Sequence, residues 1–274
     1  MPTVDVPVTA GTSTVNYLLT GTGPGLVLVH GTGATGETNW GPLIEAVADR
    51  FTVVAPDLTG SGATVAPPGP IHVEDLVAQV LGAATHAGLD RFHLVGHSLG
   101  ALVATAVAGT SPERVLSLAA HAGWAKADPW MEFQFDLWTR LVSVDRELLA
   151  RLLQVTAMGE DTLRSRSAGD FAEAAAGFSA MLAGAEDGFL RQTRADMTAD
   201  ITTLAGRVTT PTLLLTSADD RVVPPHHQQE LARLIPHAAH VVLPGGHGLP
   251  FENPALFTGA ITAHLDEQAG LRRH

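Results

Sequence analysis

The stretch FHLVGHSLGALVATAVAG, residues 92–109, decides the fold. Its first half is a short, nearly all-apolar run, the pattern of a strand buried on both faces of a parallel sheet. Its last nine residues, ALVATAVAG, continue as a helical run, and only Gly96-His97-Ser98-Leu99-Gly100 lies between. A strand joined to a helix with so little chain between must turn sharply, which lifts Ser98 above the sheet edge at a helix N-terminus whose positive end favours developing negative charge. Gly96 and Gly100 let neighbouring backbone approach this turn closely. A Gly-x-Ser-x-Gly alone arises by chance, but one set between a buried strand and a helix is specific, so Ser98 is read as a nucleophile rather than an ordinary turn serine.

Outward from this turn, short β-rich runs recur at 25–31, 51–57, 115–123, 211–220 and 239–247. Helical patterns lie between them. Pro42 is expected at the first turn of one helix; Val73, Leu76, Val77, Val80, Leu81 and Ala84 form one face of the next, stopped by Gly88. Pro225 opens a helix that Pro236 ends, and Asn253-Pro254 opens the last. This β/α alternation with short connections predicts an α/β fold with a mostly parallel central sheet flanked by helices. Residues 3–20 alternate like antiparallel strands, and the Gly-rich turn 20–25 is expected to be a hairpin into the first buried strand.

From about Trp124 to Gly206 the strand pattern vanishes and helical spacing takes over. Trp130, Phe133, Leu137, Trp138 and Leu141 share one predicted face; Phe171, Ala174, Ala175, Phe178 and Met181 share another. Eight of the chain's 14 aromatic residues fall in this segment, which is expected either to pack a core of its own or to line an apolar pocket.

A serine hydroxyl needs a base within hydrogen-bond reach and a carboxylate to hold that base in the correct tautomer. After the run PTLLLTS come Asp219 and Asp220, and after AHVVLPGG comes His247 in a Gly-Gly-His-Gly loop. The order Ser, Asp, His is the one expected when such a turn is built on this kind of sheet. Of the 13 histidines, only His247 occupies so free a loop; His93, His97 and His264 are expected to be packing or capping residues. The pairs His226-His227 and His237/His240 show no partner set for a metal, and no metal or cofactor is assigned. The oxyanion of an acyl-transfer intermediate needs two N–H donors, and the amide of Leu99, directly after the nucleophile, is one candidate.

Over nearly its whole length the chain resembles the α/β-hydrolase fold family. The resemblance implies a core of residues 1–123 and 207–274, with 124–206 as a helical cap inserted after the sixth strand. It favours Asp220 over Asp219, because the family's acid stands four residues before a proline, as Asp220 does before Pro224. It also implies Thr32, in His30-Gly31-Thr32-Gly33, as the second oxyanion donor, with a hydroxyl that could add a third donor or bond the loop. The same loop contains Gly31-Thr-Gly33-Ala-Thr-Gly36, which fits a dinucleotide-binding pattern, with Asp57 ending the next strand. A helix starting near Pro42 would begin too late to meet a pyrophosphate, so Asp57-Leu-Thr-Gly60 is expected to be a structural loop.

Sixteen basic against 28 acidic residues give a net charge of −12, a sign that repels nucleic acid and anionic membrane surfaces. No apolar run reaches membrane-spanning length and no signal pattern opens the chain, so a cytoplasmic protein is expected. The absence of Cys excludes thiolate catalysis. The expected function is a carboxylesterase-like serine hydrolase that cleaves an ester, lactone or thioester of a mostly apolar small molecule without a cofactor. A biosynthetic acyltransferase or cyclase on the same residues, and a non-catalytic small-molecule binding protein, are the alternatives; the sequence is silent on oligomeric state.

Overall fold

The computed structural model describes residues 1–271. Strands β1 (Thr3–Val8) and β2 (Gly11–Thr20) open the chain. Then β3 (Gly25–Val29), α1 (Gly36–Val47), β4 (Thr52–Pro56), α2 (Val73–His86), β5 (Phe92–His97), α3 (Leu99–Thr110) and β6 (Val115–His121) alternate. Six helices follow before the next strand: α4 (Pro129–Val144), α5 (Arg146–Ala157), α6 (Glu160–Ser165), α7 (Ala168–Leu182), α8 (Glu186–Thr198) and α9 (Thr202–Ala205). Strand β7 (Thr212–Ser217), α10 (Pro225–Leu234), β8 (Ala239–Leu243), α11 (Leu249–Glu252) and α12 (Pro254–Gln268) complete the described chain.

The eight strands form one sheet in the order β1-β2-β4-β3-β5-β6-β7-β8. Only β1 and β2 run antiparallel to their neighbours; the rest are parallel. Successive side chains of a strand point to opposite faces, and the two cores follow that alternation. Leu26 and Leu28 of β3 join Trp40, Leu43 and Val47 of α1 and Phe257, Ile261 and Leu265 of α12 on one face. Val27 and Val29 join α2 and α3 on the other. Helix α3 is buried on all sides, every residue but its last, which explains why its sequence is apolar without a polar stripe.

Three expectations are corrected. The turn 20–25 is not a hairpin: β2 pairs with β4, which lies between it and β3, so the turn crosses the end of β4 with Gly21 and Gly23 against the backbone of Ala48 to Phe51. Helix α1 starts at Gly36, not near Pro42, because Thr35 and Thr38 form a reciprocal capping box; Pro42 sits inside the helix. On α4 the buried residues are Met131, Phe135, Trp138 and Val142, while Trp130 and Phe133 are 55% and 77% exposed. That helix is apolar on two faces, so periodicity alone selects the wrong one. Among the described residues no helix is long and apolar enough to cross a membrane.

Candidate active site

The site lies where the parallel strands end. Strand β5 stands between β3 and β6, with Gly96 level with Val29 and Ala120, so the turn after β5 and the loop after β3 emerge side by side. Ser98 occupies this turn with φ 56° and ψ −125°, a left-handed conformation costly for a residue with a Cβ. The flanking glycines are required by contact: a Cβ on Gly96 would stand 2.2 Å from the Gly100 carbonyl oxygen, and one on Gly100 would stand 2.0 Å from that of Val29. The serine is thereby pressed between a strand end and a helix start, its side chain facing the cavity described below.

Three sequence-predicted residues meet there. His247 Nε2 is 2.9 Å from Ser98 Oγ, and its Nδ1 is 2.9 Å from Asp220 Oδ2. The other carboxylate oxygen of Asp220 accepts from the backbone N–H groups of Val222 and Val223 at 2.9 and 2.8 Å, which fixes the side chain in a buried position. Asp219 points elsewhere: its Oδ2 accepts from the Glu160 N–H at 3.0 Å and so holds the start of α6, a role more specific than that of a solvated turn.

In the loop after β3, Gly31 N–H donates to Asn39 Oδ1 and Gly33 N–H to Gln192 Oε1. The amides of Thr32 and Leu99 donate to no acceptor of the chain among the described residues. The Thr32 hydroxyl neither enters the cavity as a donor nor bonds its own loop; it donates to Asp196 Oδ2 on α8 at 2.8 Å. Gln192 and Asp196 are residues that sequence reasoning missed. Their signal was present as two polar side chains four positions apart on the same helical face as Phe189, all three buried. Burial pushes the Asp196 carboxyl up to about 7, with the Thr32 bond opposing.

Apart from the Thr32 amide, the backbone N–H groups of the dinucleotide-like loop are engaged by the chain itself. Asp57 accepts from Gly36 N–H through one oxygen and from Asn16 Nδ2 through the other. Helix α1 begins inside the Gly pattern, at Gly36 rather than near Pro42, but its first amide is spent on Asp57. His30 accepts from Leu58 N–H at Nε2 while its Nδ1 faces Gly31 O, so it is a neutral, buried strut between the two loops.

Behind His247, His97 and His121 stack at 5.1 Å with their Nδ1 atoms 2.9 Å apart, and His121 reaches Ser217 Oγ. Burial, then the neighbouring imidazoles, push His97 well below the ordinary imidazole range and His121 to about 3, so both are neutral packing residues. His93 packs likewise against Ser117. Sequence reasoning found no partner for His226 and His227; folding brings Asp128, 98 positions away, within 2.9 Å of His226. The three residues could each offer one ligand atom to a metal. They meet at the N-termini of α4 and α10, whose positive ends oppose a cation.

A cavity of about 450 Å³ opens above Ser98 and His247, walled by Trp138, Leu153, Phe178 and Phe189 from the helices between β6 and β7. Three of the eight aromatics in that segment thus face a pocket, and α7 lines it through Ala174, Phe178 and Met181.

Comparison with known proteins agrees with this architecture. The model of the alpha/beta hydrolase fold matches residues 24–254. A pyrrolizixenacetamide deacetylase of Xenorhabdus hominickii is 35% identical over 251 residues, covering 91% of this chain and 94% of that protein. A thermophilic esterase from Thermogutta terrifontis, solved with malate bound, superposes with a TM-score of 0.84 at 28% identity, covering 98% of this chain and all of the other. A hydrolase from Pseudomonas aeruginosa gives 0.81 at 26% identity over 96% of this chain and 98% of its own. With a sheet, a strand-to-helix serine turn and a family match spanning most of its length, the chain belongs to the α/β-hydrolase fold family and is a hydrolase.

Proposed function

We propose that this protein is a serine hydrolase that cleaves a carboxylic ester or amide of a small molecule through an acyl-enzyme on Ser98. One observation carries the reading: His247 stands 2.9 Å from the Ser98 hydroxyl on one side and 2.9 Å from the Asp220 carboxylate on the other. With Nδ1–H donated to Asp220, the Nε2 lone pair faces Ser98 and takes its proton as Oγ attacks the carbonyl carbon. The Thr32 and Leu99 amides, which find no acceptor among the described residues, hold the oxyanion. The imidazolium then returns the proton to the leaving alkoxide or amine, and a water activated by the same imidazole releases the acid.

Residues 124–206 act in this reading as a cap over the cavity. Because the wall is apolar and aromatic, the substrate's bulk is apolar. The 35% identical relative is named as a deacetylase of an acetamide and the superposed structure as an esterase, which supports both amide and ester cleavage. The test is a fluorophosphonate probe. Wild type is expected to gain the phosphonyl mass on the peptide containing Ser98 and to lose activity toward activated esters in step with labelling. An unlabelled Ser98 in an enzyme that still turns over such esters would overturn the assignment.

A further inference from the structure

The apolar wall contains one full-time cation. Arg166, between α6 and α7, is the only Lys or Arg among the described residues that line the cavity. Its Nη1 donates to Oε1 of the buried Gln154, its Nη2 lies 4.0 Å from Met158 Sδ, and its Cζ stands 5.8 Å from the Phe171 ring centroid. An amide oxygen, a thioether and a ring orient the guanidinium without neutralising it. Among the described residues no carboxylate comes within ion-pair distance of it. The neighbouring Asp170 feels the Arg166 charge, but it is exposed, forms no ion pair with the guanidinium and already accepts from the Ser167 N–H at 2.8 Å as part of the α7 capping box.

Met158 connects this group to the chemistry. Its Cε and Sδ lie 2.8 and 3.2 Å from where a Cβ on Gly248, the residue after His247, would stand. The guanidinium and the His247 loop therefore flank the same methionine. A guanidinium offers five N–H donors in a planar fork that matches a carboxylate, and Gln154 takes one of them. Beside an apolar cavity such a charge attracts an anion more strongly than it would on the open surface.

We propose that Arg166, held by Gln154, is a subsite for a carboxylate on the substrate, so that the molecule cleaved at Ser98 is an ester or amide with a free acid group elsewhere in its structure. The proposal rests on the serine-hydrolase reading above and adds one anionic group to the mostly apolar substrate expected there. A net charge of −12 acts over the whole surface and is screened within about 8 Å at physiological salt, whereas Arg166 acts at contact.

Two matched pairs test it: p-nitrophenyl butyrate against mono-p-nitrophenyl glutarate, with the acid on the acyl side, and phenyl acetate against 4-acetoxybenzoate, with the acid on the leaving group. Arg166→Met is expected to lower kcat/KM about 10- to 100-fold for the acid member of at least one pair, with both neutral esters changed less than about 3-fold. Arg166→Lys should recover part of that loss. Fluorophosphonate labelling of Ser98 in Arg166→Met should match wild type, which separates failure of the subsite from failure of the nucleophile. Binding is read independently of turnover by calorimetric titration of monoethyl glutarate and monoethyl terephthalate into Ser98→Ala and Ser98→Ala/Arg166→Met; the double variant should bind at least one of them about 10-fold more weakly. Equal loss across all four esters, an unchanged acid-to-neutral ratio in both pairs, or equal affinity of the two Ser98→Ala proteins for both monoesters would overturn the proposal.

Discussion

The Thr32 hydroxyl donates to Asp196 Oδ2 at 2.8 Å, joining the loop after β3 to helix α8 across 164 positions of sequence. One residue later, Gly33 N–H donates to Gln192 Oε1 on the same helix. The loop that presents the Thr32 amide is therefore held by a helix of the 124–206 segment as well as by the sheet.

Removing Gln192 should loosen that loop. Its side chain also donates to Thr59 O and Ser61 Oγ, so Gln192→Leu leaves two buried acceptors and the half-buried Gly33 N–H without that partner. We expect a loss of about 2–4 kcal/mol in urea unfolding and a fall of about 10-fold in kcat, with KM changed far less, because the proposed oxyanion donor is displaced. A variant with wild-type kcat would show that the sheet alone positions Thr32.

The Asp196 carboxyl, raised to about 7 by burial, titrates in the folded protein above its unfolded value of 3.8. The folded state then binds the proton more tightly, so stability is fully present at acid pH and is lost as pH rises through about 7. Wild type should lose about 2–4 kcal/mol between pH 4 and pH 8 relative to Asp196→Asn measured in parallel. Parallel stability curves for the two proteins would contradict this.

Six histidines, five of them buried and His264 half-buried, act in the opposite direction. His30, His93, His97, His121, His227 and His264 are all held below the ordinary imidazole value, each chiefly by burial. Groups depressed in the folded state stabilise it above pH 6.5 and withdraw that contribution as pH falls. For His121, pushed to about 3, the withdrawal reaches about 2–3 kcal/mol by pH 4.5, so His121→Gln should flatten the acid limb by that amount.

Asp219 and Asp220 are separable by kinetics. Asp220→Asn keeps the shape but disturbs the tautomer of His247, and kcat should fall about 10³- to 10⁴-fold, the scale seen for triads of this kind. Asp219→Asn removes only the charge, since its amide oxygen still accepts from the Glu160 N–H at the start of α6, and should leave kcat within about 3-fold. Reversed effects would move the acid to Asp219.

Gly100→Ala should yield little folded protein, because its Cβ would collide with Val29 backbone at 2.0 Å; a loss above about 3 kcal/mol is expected. Gly41→Ala is the contrast. Gly41 lies inside α1 with no atom near its absent Cβ, so the change should stabilise by about 0.5–1 kcal/mol in thermal unfolding.

Ser98, Asp220 and His247 were legible because each follows a strand whose apolar run is unmistakable, and a parallel sheet brings all its strand ends to one rim. Periodicity failed where more than one face satisfied it. Helix α4 is apolar on two sides, and only packing against its neighbours buried Phe135 and Trp138 instead of Phe133. The capping box at Thr35 and Thr38 likewise outweighed Pro42, since a closed set of helix-start hydrogen bonds fixes where the first turn forms.

Local pattern by itself determined the strand-to-helix turn, the order in which Ser98, Asp220 and His247 follow their strands and the alternation that sorts β3 side chains to two faces. Those features depend on neighbours within a few residues and on the chirality of strands and helices. Partnerships between distant polar groups were decided only by tertiary structure: Thr32 with Asp196, Gln192 with Gly33, Asp128 with His226, and Arg166 at the cavity wall. No periodicity encodes such a pairing, because a polar side chain in the interior takes whichever partner the packed helices bring within about 3 Å, and that choice belongs to the whole fold.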